Sequence, residues 1–379
     1  TDYLRELVLK DALFLLGDRF WGRPDAEAPG NGKPAVKAIV IACNTATAYG
    51  LADVRYALEQ WGLPIFVIGL VEAGAREAVE KAGASGAIGV LATAGTCSSM
   101  GYVRAIESEA GRKGIEPPPV VQQGSLGLAG AIEGDRAFIG WSAAGEYRGP
   151  AKSNPAARID TSISDRYGFD PAGLIGDSPA DIQLNSVENY LRYDVLSLVE
   201  NYLGAGGEKP VRAVILGCTH FPFYRKNFVQ AFERLRTLET ADGKMPYGRL
   251  LDTSLVFVDP SVRTAEELYR ELSRRGILLD DSLNSICPTD EFYISIPAPS
   301  FPGAVYDKQG AFAYEFKYGR SEGNFQIEDV RRTPMSKETL SPENQRMIQD
   351  KMPALWARLV RFNHQSPRFY QIPDSLKLE

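Results

Sequence analysis

Cysteine and histidine are scarce: four cysteines and two histidines stand in 379 residues. So few cysteines in so long a chain do not make a disulfide framework, and two of them follow strand-like apolar runs, which points to a reducing compartment, the cytoplasm. No His, Cys or carboxylate set has the spacing of a metal site, and His220 and His364 stand far apart, so no metal is expected. Long apolar runs are also missing. The longest, such as Ala38 to Ala42 and Ile65 to Val71, fall well short of the roughly 20 residues that span a bilayer, so no membrane partner is expected. Positive charge is not in excess either: 42 Lys and Arg face 48 Asp and Glu, a net charge of -6. With no basic block, neither nucleic acid nor an anionic membrane is indicated, and a small-molecule partner fits better.

What is present is the composition of an ordinary soluble enzyme, 44% hydrophobic and 24% charged, in a chain long enough for two cores. From Lys37 to Val90 apolar runs, small-residue turns and helical stretches alternate (AIVIACNTATA, IFVIGLVEAGAREAVEKAG, AIGVLAT), which predicts an α/β fold with a parallel sheet covered on both faces. A helical segment from Ser186 to Leu203 leads through a glycine-rich turn into the strand VRAVILG. LVFVDP is a further strand, followed by a helix in which Thr264 and Glu267 have capping-box spacing. Residues 134–185, rich in Gly, Pro, Ser and Asp, break the rhythm and read as a loop-rich insertion suited to a lid. Beyond residue 300 the chain turns aromatic and proline-rich. A late helix starts near Ser341 with Pro342 in its first turn, Pro353 interrupts it, and the tail is expected to dock on the body.

One coarse internal echo stands out, AIVIACNTATA at 38–48 against AVILGCTHFP at 213–222. Each is an apolar strand, then Cys, then a polar pair. In open α/β sheets such strand ends face the ligand crevice, and a thiol where backbone N–H groups converge has its thiolate favoured. Either cysteine alone reads as a small apolar core residue. Two in echoing turns share a chemistry that packing does not require. Inverting a stereocentre needs a base on one face of a carbon and an acid on the other, with the roles exchanged for the opposite enantiomer, and Cys43 with Cys218 meet that need. Stabilising the carbanion-like transition state requires preorganised donors, which turns of Gly, Thr, Ser and Asn supply. No cofactor motif is present. GSLGLAG at 124–130 lacks the G-x-G-x-x-G spacing and reads as helix or turn packing, not as a dinucleotide site.

At these residues, CNTAT at 43–47 and LGCTHFP at 216–222, the chain resembles the glutamate racemases of the aspartate/glutamate racemase superfamily. GVLATAGTCSSMGY at 89–102 is similar to that family's substrate-binding loop, LAGAIEGD at 128–135 to the stretch with its active-site glutamate, LVFVDPSVRTAEEL to its late strand and helix, and FYISIP at 292–297 to its final strand. The resemblance runs, with interruptions, from Leu4 to Ile296. It implies two pseudo-symmetric doubly wound parallel-sheet domains with the active site in the cleft between them: residues 1–90 with 224–300, then 91–223 carrying the 134–185 insertion, with 301–379 as a C-terminal extension. It further implies cofactor-free interconversion of L- and D-glutamate, supplying D-glutamate for peptidoglycan, in a homodimer. Cys43 and Cys218 would be the acid/base thiols and His220 and Glu133 would assist proton transfer. Asn44, Thr45, Thr93, Thr96 and Thr219 would bind the substrate, an acidic amino acid.

Two departures qualify this. The family opens with a strand and an Asp-Ser-Gly turn that would lie ahead of Thr1, so either an upstream segment carries it or the site is incomplete. LGDRFWGRP at 16–24 resembles a stretch ending in Pro-Tyr-Gly, with Trp21 and Gly22 in the pocket-wall positions, which leaves the substrate open. The alternatives are a racemase or isomerase of another amino or dicarboxylic acid, and a non-catalytic member that binds a ligand or a protein. Cys97 and Cys287 read as structural.

Overall fold

The computed structural model describes residues 2–140, 147–176, 182–278, 290–298, 301–306, 312–313, 316, 329–369 and 372–379; Cys287 lies outside them. The described chain is mixed α/β with a parallel sheet, as the alternation of strands and helices predicts. It divides into two compact units. The first comprises Thr1–Ile39, Gly50–Val67 and Leu272–Glu379; the second comprises Val40–Tyr49 and Ile68–Glu271. The cuts expected near Val90 and Phe223 both fall inside the second unit.

The second unit is built on four parallel strands, β3 (Ala87–Thr93), β4 (Val120–Ser125), β7 (Val211–Gly217) and β8 (Leu251–Val258), in the order β4-β3-β7-β8. Successive side chains of a strand point to opposite faces, and both faces are apolar here. Ala87 and Leu91 of β3, with Val214 and Leu216 of β7, pack under α8 (Val187–Gly204) beside Leu191, Val195 and Leu198. Ile88, Val90, Ala213 and Ile215 face the other way, onto Ala75, Ala78 and Val79 of α3 (Leu70–Ala82) and Tyr102 and Ile106 of α5 (Gly101–Lys113). Each fully buried aliphatic side chain contributes on the order of 1.5–3 kcal/mol. That double burial is why these strands read as continuous apolar runs and not as alternating ones.

Ser186 caps α8 as its position suggests, accepting from the Asn189 amide at 3.2 Å. The capping box expected at Thr264 and Glu267 does not form. The helix α10 (Pro260–Arg274) starts a turn earlier, with Asp259 Oδ1 accepting from the Ser261 amide at 2.9 Å and Pro260 in the first helical position. Thr264 is therefore interior and donates its hydroxyl to the Pro260 carbonyl at 2.8 Å. Glu267 pairs with Arg76.

The described part of the 134–185 insertion is not a free lid. It holds only short pieces, α7 (Ser164–Tyr167), β5 (Leu174–Ile175), β6 (Gln183–Leu184) and two 3-10 turns at Thr161–Ile163 and Pro171–Gly173. Yet Ala157, Ile159, Tyr167 and Leu184 are buried in the α8-side core, and the Tyr167 ring stacks on Phe169 and Tyr193. The loop-like composition reflects turns, while its few apolar residues anchor the segment. GSLGLAG is a packing turn: Gly127 has φ 106°, and a Cβ there would lie 2.5 Å from the Phe138 ring.

The first unit contains α1 (Asp2–Leu16), the antiparallel pair β9 (Tyr293–Pro297) and β10 (Val330–Pro334), and two tail helices. These are α11 (Pro342–Lys351), capped by Ser341, and α12 (Pro353–Gln365), with the break at Pro353. Leu340, Ile348, Leu359 and Leu378 pack against Phe292 and Ile294, so the tail shares a core with β9. A buried ion pair, Lys10 Nζ to Asp329 Oδ1 at 3.1 Å, lies within this unit. The strands β1 (Ala38–Ile41) and β2 (Phe66–Gly69) pair with each other, and the boundary between the units passes through both. No helix among the described residues is long and apolar enough to cross a membrane.

Candidate active site

Both cysteine turns belong to the second unit. Cys43 follows β1 and directly precedes α2 (Asn44–Gln60), and its carbonyl accepts from the Thr47 amide at 2.8 Å, closing the first helical turn. Its thiol is exposed. Thr47 locks the turn from below, donating its hydroxyl to the Ile41 carbonyl at 2.9 Å and accepting from the Leu70 amide at 3.3 Å. Cys218 follows β7 and is buried. Phe221, fully buried against Phe228, returns its amide to the Cys218 carbonyl at 3.0 Å and pins that turn.

Strand register sets the lateral order. Ala92 of β3 stands opposite Gly217 of β7, so Thr93 and Cys218 come next along two adjacent parallel strands, at the C-terminal ends of the two central strands of the sheet. Neighbouring strands are roughly 4.8 Å apart. Thr93 starts the short helix α4 (Ala94–Ser98) and caps it, accepting from the Thr96 amide at 3.3 Å. The hydroxyls of Thr45, Thr93 and Thr96 form a closed triangle with all three separations 2.9 Å. The Cys43 turn thereby reaches the strand next to Cys218.

Tyr102, which the sequence reading passed over, makes the second link. It is fully buried, its hydroxyl donates to Asn44 Oδ1 at 2.5 Å, and its ring lies against the open side of Gly217, 3.0 Å from where a Cβ would stand. Burial raises its phenol well above the ordinary range, so it remains a donor. Asn44 belongs to the Cys43 turn and Gly217 to the Cys218 turn, so one side chain spans both. The signal was there to be read: Tyr102, Ile106 and Ala110 recur at helical spacing and form the buried stripe of α5.

On the Cys218 side a polar chain runs outward. Cys218 Sγ lies 3.6 Å from His220 Nδ1, and His220 Nε2 lies 3.0 Å from Glu133 Oε1, at the end of α6 (Leu128–Glu133). The Cys218 sulfur and then the Glu133 carboxylate raise the His220 imidazole to about 10, against the opposing effect of burial. Thr219 is exposed beside them. Ser99 serves its own backbone, donating to the Thr96 carbonyl at 2.6 Å. Cys97 is half-buried, and burial with the nearby Asp194 carboxylate pushes its thiol up to about 12, which suits a packing residue. Asp194 itself is buried, with its carboxyl raised to about 7 by burial.

Trp21 and Gly22 belong to the first unit. There the Trp21 amide donates to the Arg332 carbonyl at 2.9 Å and the Arg331 guanidinium lies 4.1 Å over the indole ring. Among the described residues no group of three His, Cys, Asp or Glu side chains is placed to hold a metal ion.

Fold and site together define an α/β protein with two cysteine-bearing turns at strand ends, cross-linked by threonine hydroxyls and a buried tyrosine. The chain is similar to glutamate racemases. One, from Oceanobacillus iheyensis, is 39% identical over 101 residues, 26% of this chain and 35% of that protein. Another, from Pseudomonas syringae pv. tomato, is 23% identical over 242 residues, 64% of this chain and 58% of that protein. Among solved structures, a glutamate racemase isoform from Bacillus anthracis matches at 21% identity and a TM-score of 0.43, covering 73% of this chain and 67% of that one. The chain thus spans less than two thirds of the length of these curated relatives. No family model matches. The resemblance read from the cysteine turns is borne out by these relatives.

Proposed function

We propose that this chain interconverts L- and D-glutamate without a cofactor, with Cys43 and Cys218 as paired acid and base. The observation that carries the reading is the Tyr102 link between the two turns, its hydroxyl on Asn44 and its ring on Gly217. In the proposed reaction one sulfur, as thiolate, removes the α-proton on one face, and the other, as thiol, delivers a proton to the opposite face. The reverse direction exchanges the two roles. His220 and Glu133 hold and relay the proton on the Cys218 side, which suits an imidazole raised by both neighbours. Asn44, Thr45, Thr93, Thr96 and Thr219 bind the substrate's polar groups. Trp21 and Gly22 form part of the pocket wall.

D-glutamate so formed would feed peptidoglycan synthesis. The thiols of Cys43, Cys97 and Cys218 are free, which suits a reducing compartment, the cytoplasm. The assembly is a homodimer.

The test is incubation with L- or D-glutamate in deuterated water, following α-proton loss by NMR and enantiomer ratio by chiral chromatography. Deuterium incorporation with racemisation is expected, and racemisation is abolished by Cys43→Ser and by Cys218→Ser alike, since inversion in either direction uses both groups. Failure to exchange glutamate while another acidic amino acid exchanges moves the substrate. Failure with all of them overturns the enzyme reading.

A further inference from the structure

The first unit holds a cavity of about 540 Å³ that none of the residues of the two cysteine turns lines and that shares only Trp21 with the substrate pocket proposed above. Its wall is largely apolar and carries four aromatic rings, those of Phe14, Phe20, Trp21 and Phe301. Its charge is largely positive, from Lys10, Arg19, Arg331 and Arg332 against the single carboxylate of Asp18. Two of the cations are already matched, Lys10 by Asp329 at 3.1 Å and Arg332 by Asp11 at 3.1 Å. The other two are not. Arg331 donates to the carbonyls of Pro24 and Ala26 at 2.5 and 3.1 Å and stacks over Trp21, and neither it nor Arg19 has a carboxylate partner among the described residues. The Arg332 side chain is nine-tenths buried, and its Nε has no hydrogen-bond partner among the described residues.

Ordinary packing does not call for this combination. A cavity filled only for stability is lined by aliphatic side chains and pairs its charges, because an unmatched cation near apolar walls is costly. Ligand sites combine apolar walls with a few convergent polar groups, in volumes of roughly 300–1,000 Å³. A guanidinium lying on an indole offers a flat, cationic surface that accepts both a stacked ring and an anionic oxygen.

We infer that this cavity binds a planar aromatic anion, its ring among Phe14, Phe20, Trp21 and Phe301 and its carboxylate or phosphate on Arg331 and Arg19. The ligand's charge would supply the anionic partner these two arginines lack among the described residues, and its ring would lie along the apolar wall.

The experiment is isothermal titration of the full chain with 1-naphthoate and with its neutral counterpart, 1-naphthalenemethanol. Saturable one-to-one binding of the anion is expected, about tenfold or more tighter than the alcohol, as a charge-assisted contact requires. Arg331→Ala and Arg19→Glu should each weaken the anion about tenfold and leave the alcohol unchanged. Arg19 is exposed, so its variant tests the site in a fold left intact, checked by its thermal midpoint. Equal affinity for acid and alcohol, no saturable binding, or an anion affinity unmoved by both substitutions would overturn the inference. Glutamate exchange in Arg19→Glu should remain at the wild-type rate, so loss of the binding site and failure of the racemase reading register in separate assays.

Discussion

Replacing Tyr102 with Phe deletes one oxygen from a fully buried ring and nothing else. The ring that rests on Gly217 is kept, so no large cavity opens, and the loss falls on Asn44. Its Oδ1 loses the donor 2.5 Å away, in a side chain only 3% exposed, where water does not readily replace it. Leaving a buried acceptor unpaired costs about 1–3 kcal/mol, so urea unfolding followed by circular dichroism should show a loss in that range at pH 7.5. Function should suffer in the same experiment. Asn44 adjoins Cys43 and is held by this bond, so α-deuterium exchange should fall about tenfold, the equivalent of about 1.4 kcal/mol in the barrier. Tyr102→Leu also removes the ring from Gly217 and should cost about 2 kcal/mol more through the cavity. A Tyr102→Phe protein destabilised by less than about 0.5 kcal/mol, with exchange unchanged, would show that the tyrosine merely fills space.

Three further outcomes follow from the same geometry. Glu133→Gln should lower the His220 pKa from about 10 towards its ordinary 6.5, readable by proton NMR because the chain has only two histidines. Because the folded-state pKa is raised, the stabilisation is complete below 6.5 and is lost as pH rises through about 10; the variant should be weaker at pH 7.5 and converge with the wild type above pH 10. With Glu133 half exposed, its share is about 1 kcal/mol or less and shrinks in salt. Asp194 has its carboxyl raised from 3.8 to about 7, so it favours folding only while protonated, and stability drains away as pH rises from 3.8 to about 7. Asp194→Asn should remove that dependence and raise stability at pH 8 by up to about 4 kcal/mol; equal denaturation midpoints at pH 8 would count against it. Gly217→Ala would place a Cβ 2.9 Å from that of Ala92 and 3.0 Å from the Tyr102 ring, and should cost about 1–3 kcal/mol in urea unfolding as overpacking.

The local grammar of this protein was legible from composition and spacing. The continuous apolar runs of β3 and β7 announce strands buried on both faces, Ser186 marks the start of α8, and Pro342 and Pro353 mark where the tail helices begin. Such features are local: they depend on side-chain period, caps and the missing N–H of proline, all carried by neighbouring residues. The echo of two cysteine turns was visible for the same reason, as was His220 beside Cys218. The misplaced capping box shows the limit even of local signals, since Asp259 and Pro260 offered a better cap one turn earlier.

Tertiary structure alone decided what lies beside what. Only the strand register could set Ala92 against Gly217 and so bring Thr93 beside Cys218, and only helix packing could carry Tyr102 to Asn44. Glu133 reaches His220 across a long stretch of chain, and the composition of 134–185 gave no sign that Ile159 and Tyr167 would be buried. The physical reason is common to all of these. A residue's period and neighbours follow from the chain itself, whereas its partners across space are selected by the closing of a core, to which many distant side chains contribute at once.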